Sequence, residues 1–121
     1  MPIHNVLVVD DSKTELLFLS DLLKKNGYEV KTAENAEDAM RRIEEQQPDL
    51  ILMDVVMPGR SGFQLTRAIV RNPQYAQVPI ILCTSKDQET DRVWGMRQGA
   101  RDYIVKPVNA AELMAKISAL A

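Results

Sequence analysis

The feature that most restricts how this chain can fold is a recurrence: short apolar runs that end abruptly in polar or charged residues. Leu50-Ile51-Leu52-Met53 runs into Asp54 and then into Val55-Val56-Met57-Pro58-Gly59. Val6-Leu7-Val8-Val9 ends in Asp10-Asp11, Ile80-Ile81-Leu82-Cys83 in Thr84-Ser85, and Tyr103-Ile104-Val105 in Lys106-Pro107. A continuous apolar run of this length, closed by turn residues, reads as a strand buried on both faces. Asp54 alone could be an ordinary turn-starting acid. Three carboxylates, two hydroxyls and an ammonium at equivalent ends of four strands form a pattern, and that end of an open α/β sheet is where ligands bind.

Between the runs the period changes from strand to helix. Met1 to Asn5 is a short lead-in. Ser12-Lys13-Thr14-Glu15 matches a capping box, and Leu16, Leu19, Leu22 and Leu23, with Leu17 and Phe18 beside them, give the helix it opens a broad apolar face. Gly27 is placed to end that helix. Tyr28 to Ala33 alternates as a strand with one partly exposed face. Asn35 can cap a helix from about Ala36 to Gln46 that turns Ala39, Met40 and Ile43 inward, with Pro48 beyond its end.

After the Leu50–Asp54 strand and the loop from Met57 to Gly62, the spacing predicts a helix from about Phe63 to Asn72, burying Phe63, Leu65, Ile69 and Val70. Pro73 and Pro79 bracket a loop before the Ile80–Cys83 strand. Asp87 to Gln98 reads as a polar-rich helix ending at Gly99, Ala100 to Val105 as a fifth strand, and Asn109-Ala110-Ala111-Glu112 as the opening of a last helix with Leu113, Ile117 and Leu120 in line. Strict strand–helix alternation with short links implies a parallel sheet covered on both faces by right-handed crossovers. The expected fold is α/β: a flavodoxin-like, doubly wound, five-stranded parallel sheet of order 2-1-3-4-5 with five helices.

Composition narrows the chemistry. The 121 residues fit one domain, expected to span 1–121, and 45% apolar content is enough for a core without disulfides. A net charge of −2 supplies no basic field for nucleic acid or an anionic membrane. No apolar stretch approaches the roughly 18 residues of a membrane span, and the first residues lack a signal-peptide pattern, so the expected location is cytoplasmic. The single histidine, His4, argues against histidine metal clusters and Ser-His-Asp triads. The single cysteine, Cys83, sits inside an apolar run and reads as a packing residue.

The strand ends can do phosphoryl chemistry. Two carboxylates about 4 Å apart repel by about 4 kcal/mol at an effective dielectric near 20. Asp10, Asp11 and Asp54 together therefore call for a cation or for protons. Oxygen-only donors suit Mg²⁺, which takes one or two carboxylates and keeps the rest of its shell for water and phosphate oxygens. Lys106 could balance the acids or bind a phosphoryl oxygen, Thr84 could donate to that oxygen, and the Lys106–Pro107 bond is a candidate cis peptide. A purely structural acid cluster, a solvated lysine and a backbone-satisfied threonine are the plainer readings. With a nucleophilic carboxylate in place, the set resembles a phosphoryl-transfer site run by positioning and charge neutralisation. Neither G-x-x-x-x-G-K-[ST] nor G-x-G-x-x-G occurs, so phosphate is expected from a donor other than ATP bound by this chain.

These residues, in this order, resemble the receiver domain of two-component response regulators (the CheY-like domain) over essentially the whole chain. The resemblance implies that Asp54 is the phosphoacceptor, charged from a phosphohistidine on a sensor histidine kinase or a histidine phosphotransfer domain. It implies Mg²⁺ held by Asp11, Asp54 and the backbone carbonyl of Val56, with Asp10 acting through water. Thr84 and Tyr103 would be the switch hydroxyl and aromatic, Lys106 the phosphoryl ligand, and Val56 and Lys86 the positions that tune self-dephosphorylation. An output face on the fourth helix, fifth strand and fifth helix would carry Lys86, Arg92, Trp94, Tyr103 and Met114 to a downstream protein partner. A narrower resemblance, carried by Met53–Gly59, Thr84–Asp91, Val93-Trp94-Gly95 and Arg97–Tyr103, is to stand-alone receivers of the chemotaxis-like type IV pilus twitching-motility pathway (PilH type).

Two rival readings stay open at this level. A Mg²⁺-dependent phosphohydrolase could work through the same aspartyl phosphate, although the chain has no cap insertion and no D-x-D signature. A receiver-shaped interaction module, or a phosphate sink, could use the fold without signalling through it. With no linker or DNA-binding domain expected after the last helix, any signal would leave through the receiver's own surface.

Overall fold

The computed structural model describes residues 2–85 and 89–120. Five strands and five helices alternate: β1 (Asn5–Val9), α1 (Lys13–Lys25), β2 (Glu29–Ala33), α2 (Ala36–Glu45), β3 (Leu50–Met53), α3 (Gly62–Arg71), β4 (Ile80–Thr84), α4 (Glu89–Arg97), β5 (Asp102–Val105) and α5 (Ala110–Leu120). The strands form one parallel sheet in the order β2-β1-β3-β4-β5, as the alternation predicts. The expected start of the fourth helix at Asp87 lies outside the described residues.

Alternation along each strand splits the core into two layers. Leu7, Val9, Ile51, Met53, Ile80 and Leu82 face α2 and α3, where Ala39, Ile43, Leu65 and Ile69 meet them. Val6, Val8, Leu50, Leu52, Ile81 and Cys83 face the other way, against Leu16, Leu19 and Leu23 of α1 and Leu113 and Ile117 of α5. Both faces are covered, which is why the central strands carry no alternating polar residues. Each fully buried Leu or Ile contributes roughly 1.5–3 kcal/mol by transfer out of water. Phe63 and Val70, expected inside, are only partly buried against this core.

Helix ends depart from the sequence reading in one instructive way. Ser12 does cap α1, accepting from the Glu15 amide at 3.3 Å, but the reciprocal half of a capping box is missing because the Ser12 amide donates to Asp10 Oδ1 at 2.9 Å. The complete box lies at α3, where Ser61 Oγ accepts from the Gln64 amide and the Gln64 side chain accepts from the Ser61 amide. It starts that helix at Gly62, one residue before the expected Phe63. At the end of α1, Tyr28 and Gly27 amides donate to the Leu23 and Lys24 carbonyls, the paired pattern of a Schellman stop with Gly27 at positive φ.

One apolar expectation fails. Leu17 and Phe18 are 69% and 47% exposed, because the layer against β1 and β3 is filled by the leucines at 16, 19 and 23, one stripe of the helix. In α4, Val93, Trp94 and Met96 are all exposed, and the helix approaches the sheet through Gly95: a Cβ added there would lie 2.7 Å from Leu82 Cδ1. The amino-terminal end of β1 is held by Asp49, whose Oδ2 accepts from the His4 and Asn5 amides at 2.9 Å each. The Asn5 bond leads in holding its carboxyl below the usual range against a smaller opposing effect of burial.

Candidate functional site

Parallel register carries the polar strand ends to one edge of the sheet. β1 and β3 pair with Val9 opposite Met53, and β4 and β5 pair with Thr84 opposite Val105. The ladder then runs one residue further. The Asp10 amide donates to Ala33 O (3.0 Å), the Asp54 amide to Val9 O (2.8 Å) and the Lys106 amide to Thr84 O (2.8 Å). Each functional side chain thus sits on backbone fixed by its neighbouring strand, which is how a rigid scaffold positions a reactive group.

The carboxylates of Asp10, Asp11 and Asp54 offer oxygens that all lie within 4.8 Å of one another. Asp10 and Asp54 are buried and Asp11 is exposed. Lys106 reaches across from β5, with Nζ 2.7 Å from Asp10 Oδ2 and 3.5 Å from Asp54 Oδ1. The Lys106–Pro107 peptide is cis. Burial, then the neighbouring Asp10 charge, push the Asp54 carboxyl above its ordinary value, and Lys106 only partly offsets them. Burial works against the charge on Lys106, but the Asp10 hydrogen bond and the charges of Asp54, Asp10 and Glu15 outweigh it, so its pKa is raised.

The loop that follows Asp54 is closed tightly. Gly59 has φ +78 directly after Pro58, the pairing of a turn whose third residue needs the left-handed region. The Gly62 amide donates back to Val55 O at 2.8 Å. A Cβ on Gly62 would overlap the Asp54 carbonyl oxygen and lie 2.9 Å from Val55 Cα. Only glycine allows this approach. Val56, between these points, is 54% exposed at the mouth of the site.

The remaining predicted residues are placed less uniformly. Thr84 is fully buried at the end of β4. Tyr103 is also buried and so is not displayed on the output surface; its ring lies under α4, where a Cβ on Gly95 would come 3.6 Å from Cδ2. Arg92 and Trp94 are exposed and Met114 is half-buried. Lys86 lies outside the described residues. Glu15, a capping residue by its sequence position, has a second place in the structure. Its Oε2 is buried without a hydrogen-bond partner and its charge acts on Lys106, a proximity that no spacing in the sequence signals. Cys83 is buried and its thiol is pushed up to about 12 by that burial, an inert packing group.

Chemically, one ammonium faces three carboxylates, so the site holds an excess of negative charge. An all-oxygen donor set with one exposed member fits a hard divalent cation such as Mg²⁺. Among the described residues no helix is long and apolar enough to cross a membrane.

Comparison with known proteins agrees with this arrangement. The family model described as "Response regulator receiver domain" matches residues 6–118. The chain is 48% identical over 115 residues to Protein PilH of Pseudomonas aeruginosa, covering 95% of each. Among solved structures, the chemotaxis protein CheY4 of Vibrio cholerae superposes with a TM-score of 0.92 at 31% identity, over 98% of this chain and 99% of that one. The receiver domain of a signal transduction histidine kinase from Syntrophus aciditrophicus gives 0.89 at 32% identity, over 97% and 89%. With its sheet order, its acid cluster and these likenesses together, the chain belongs to the response regulator receiver domain family.

Proposed function

We propose that this receiver takes a phosphoryl group onto Asp54 from a phosphohistidine on a sensor kinase or histidine phosphotransfer domain. The observation that carries the reading is the convergence of Asp54 with Asp10, Asp11 and Lys106 at the ends of β1, β3 and β5. An Asp54 Oδ attacks phosphorus, the O–P bond forms as the donor's N–P bond breaks, and the imidazole leaves with the bonding pair. The raised pKa of Asp54 makes its ionised carboxylate a stronger base than an ordinary aspartate. Lys106 is within reach of the oxygens on which charge collects, where a fixed cation is most effective. Asp11, Asp54 and the Val56 carbonyl would hold Mg²⁺, with Asp10 acting through water, and the ion would supply neutralising charge. Asp10 is already engaged by Lys106 and the Ser12 amide, whereas Asp11 is exposed, which supports the direct role for Asp11. The test is intact-protein mass spectrometry with acetyl phosphate. One phosphoryl mass is gained with Mg²⁺ and none after chelation. A Mg²⁺-independent gain, or none under any condition, overturns the reading.

The metal roles give a separate expected result. Asp11→Ala weakens Mg²⁺ affinity in calorimetry more than Asp10→Ala does, and by at least the roughly tenfold that loss of even an outer partner costs. The reverse ordering means the pair is misassigned.

The lifetime of the acyl phosphate is tuned, as the family resemblance implies, by the residues at positions 56 and 86. Val56 cannot hydrogen-bond an attacking water, and Lys86 cannot accept its proton while charged. Self-dephosphorylation is therefore slow, and Val56→Asn with Lys86→Glu accelerates phosphate release. An unchanged rate would mean that water access is controlled elsewhere.

The receiver family is a signalling module, not a dedicated enzyme. Output is read from the surface that α4, β5 and α5 present, although Trp94, exposed on α4, stands beside Arg67 and Arg71 of α3. Phosphate on Asp54 draws in the Thr84 hydroxyl and re-sites the buried Tyr103, biasing two conformations of that surface. Partner affinity then changes by about 5–150-fold, the range of ordinary allosteric coupling. Beryllofluoride, an acyl-phosphate mimic, reads this out in a binding assay; equal affinities in both states would leave a phosphate sink as the account. The 48% identity to Protein PilH supports a place in a pilus-linked, chemotaxis-like motility pathway.

A further inference from the structure

We propose that the groove between α3 and α4 docks an acidic, helical segment of a partner protein. The groove has a volume of about 400 Å³. Arg67 and Arg71, one turn apart on α3, form one wall, and Trp94 and Arg97, also one turn apart on α4, form the other. Its floor is sealed by Val70 against Gly99, where an added Cβ would lie 2.8 Å from Val70 Cγ2. All three arginines are exposed. Among the described residues none of them forms an ion pair, whereas Arg41 on α2 is paired with Asp38.

The charge is local and contrary to the whole. The chain carries −2 overall, yet the groove brings Arg67, Arg71 and Arg97 together with no acid among its described lining residues. Like charges gathered in one groove repel, and an anion entering it relieves that repulsion. Arginine favours carboxylates, because its planar fork donates to both carboxylate oxygens in bidentate geometry and sheds water more readily than an ammonium. Trp94, 50% exposed at the rim, adds the aromatic surface that, with arginine, dominates the centres of protein interfaces.

The geometry favours a protein over a nucleic acid. Carboxylates at positions i and i+4 of a helix stand about 6 Å apart, the spacing of the Arg67–Arg71 pair itself. A nucleic acid strand needs a longer basic track along its backbone. The groove is short, and the chain's pI is near 5.4. An acidic helix with an apolar residue set over Trp94 fills the groove and satisfies its charges. This assignment does not depend on phosphorylation of Asp54.

Trp94 is the sole tryptophan and therefore a built-in reporter. The probe is a synthetic helical peptide carrying glutamates at i,i+4 on either side of one leucine, with a lysine-for-glutamate version as its counterpart. The expected result is a saturable blue shift of Trp94 emission with the glutamate peptide, weakening as salt rises. Arg67→Glu/Arg71→Glu lowers that affinity at least tenfold and gains binding of the lysine peptide. Arg60→Glu/Arg101→Glu, equal in charge change but outside the groove, binds as wild type. Circular dichroism and unchanged phosphorylation of Asp54 show that the groove variant is folded, keeping this test separate from the proposed phosphoacceptor role. The proposal is overturned if neither peptide shifts the emission or if both charge variants lose binding equally. It is also overturned if an oligonucleotide of equal charge binds more tightly, or if sedimentation shows that a second copy of the chain fills the groove.

Discussion

Asp54→Asn is expected to abolish acyl phosphorylation completely while leaving the protein folded and at least as stable as the parent. Asparagine keeps the shape and an oxygen that can accept from Lys106, which stands 3.5 Å from Asp54 Oδ1, but its amide is not a nucleophile. The stability half rests on linkage. The pKa of Asp54 is raised in the folded state, by burial first and by the Asp10 charge second. The folded protein therefore holds this proton more tightly than the unfolded chain. Its contribution is fully present below the unfolded pKa and is lost as pH rises through the folded value. At neutral pH the ionised carboxylate is a net burden, and the neutral amide removes it. The checks are thermal unfolding in metal-free buffer and mass spectrometry with acetyl phosphate and Mg²⁺. Phosphate uptake equal to that of the parent would remove Asp54 from its role, and a large drop in Tm would mean its charge is a structural requirement.

Gly62→Ala is expected to be the most destabilising small substitution near the site. Its Cβ meets main-chain atoms, the Asp54 carbonyl oxygen and Val55 Cα, and no rotamer change can move them aside. The Gly62 amide is also bonded to Val55 O, so relief of the overlap breaks that bond or shifts the start of α3. Overpacking against backbone costs about 3 kcal/mol, which lowers Tm by about 10 °C in a domain of this size. Because the atom displaced belongs to Asp54, the phosphorylation rate falls as well, even at temperatures where the variant is fully folded. A Tm within about 2 °C of the parent, with an unchanged rate, would show that the loop yields freely.

These two substitutions sit at opposite ends of what could be read from the residues. Asp10, Asp11, Asp54 and Lys106 were legible because each terminates a continuous apolar run. A run buried on both faces fixes the strand, and the strand fixes which end its next residue occupies. Parallel alternation fixed the rest, since right-handed crossovers put all those ends on one edge. The fold class needed nothing further, and the β2-β1-β3-β4-β5 order followed from likeness to the flavodoxin-like arrangement, one of the two common doubly wound orders. By contrast, Gly62 carries no mark in the sequence of the close approach that requires it. The two capping sequences, Ser12 to Glu15 and Ser61 to Gln64, look equally good, yet only the second closes its box, because the Ser12 amide is drawn to Asp10 Oδ1.

What the sequence by itself determined about this protein is the periodic information: strands, helices, layer order, and the edge on which its acids and its lysine meet. Only the tertiary structure decided which apolar residues are used. Leu17 and Phe18 stay in water and Tyr103 goes inside, because helix rotation is set by packing against the sheet and one stripe of leucines already fills the layer. It also decided which charges face one another. Glu15 comes to act on Lys106, and Arg67 and Arg71 come to face Arg97 across a groove. Those pairings join residues tens of positions apart, and local periodicity carries no information about side chains brought together by the packing of separate elements.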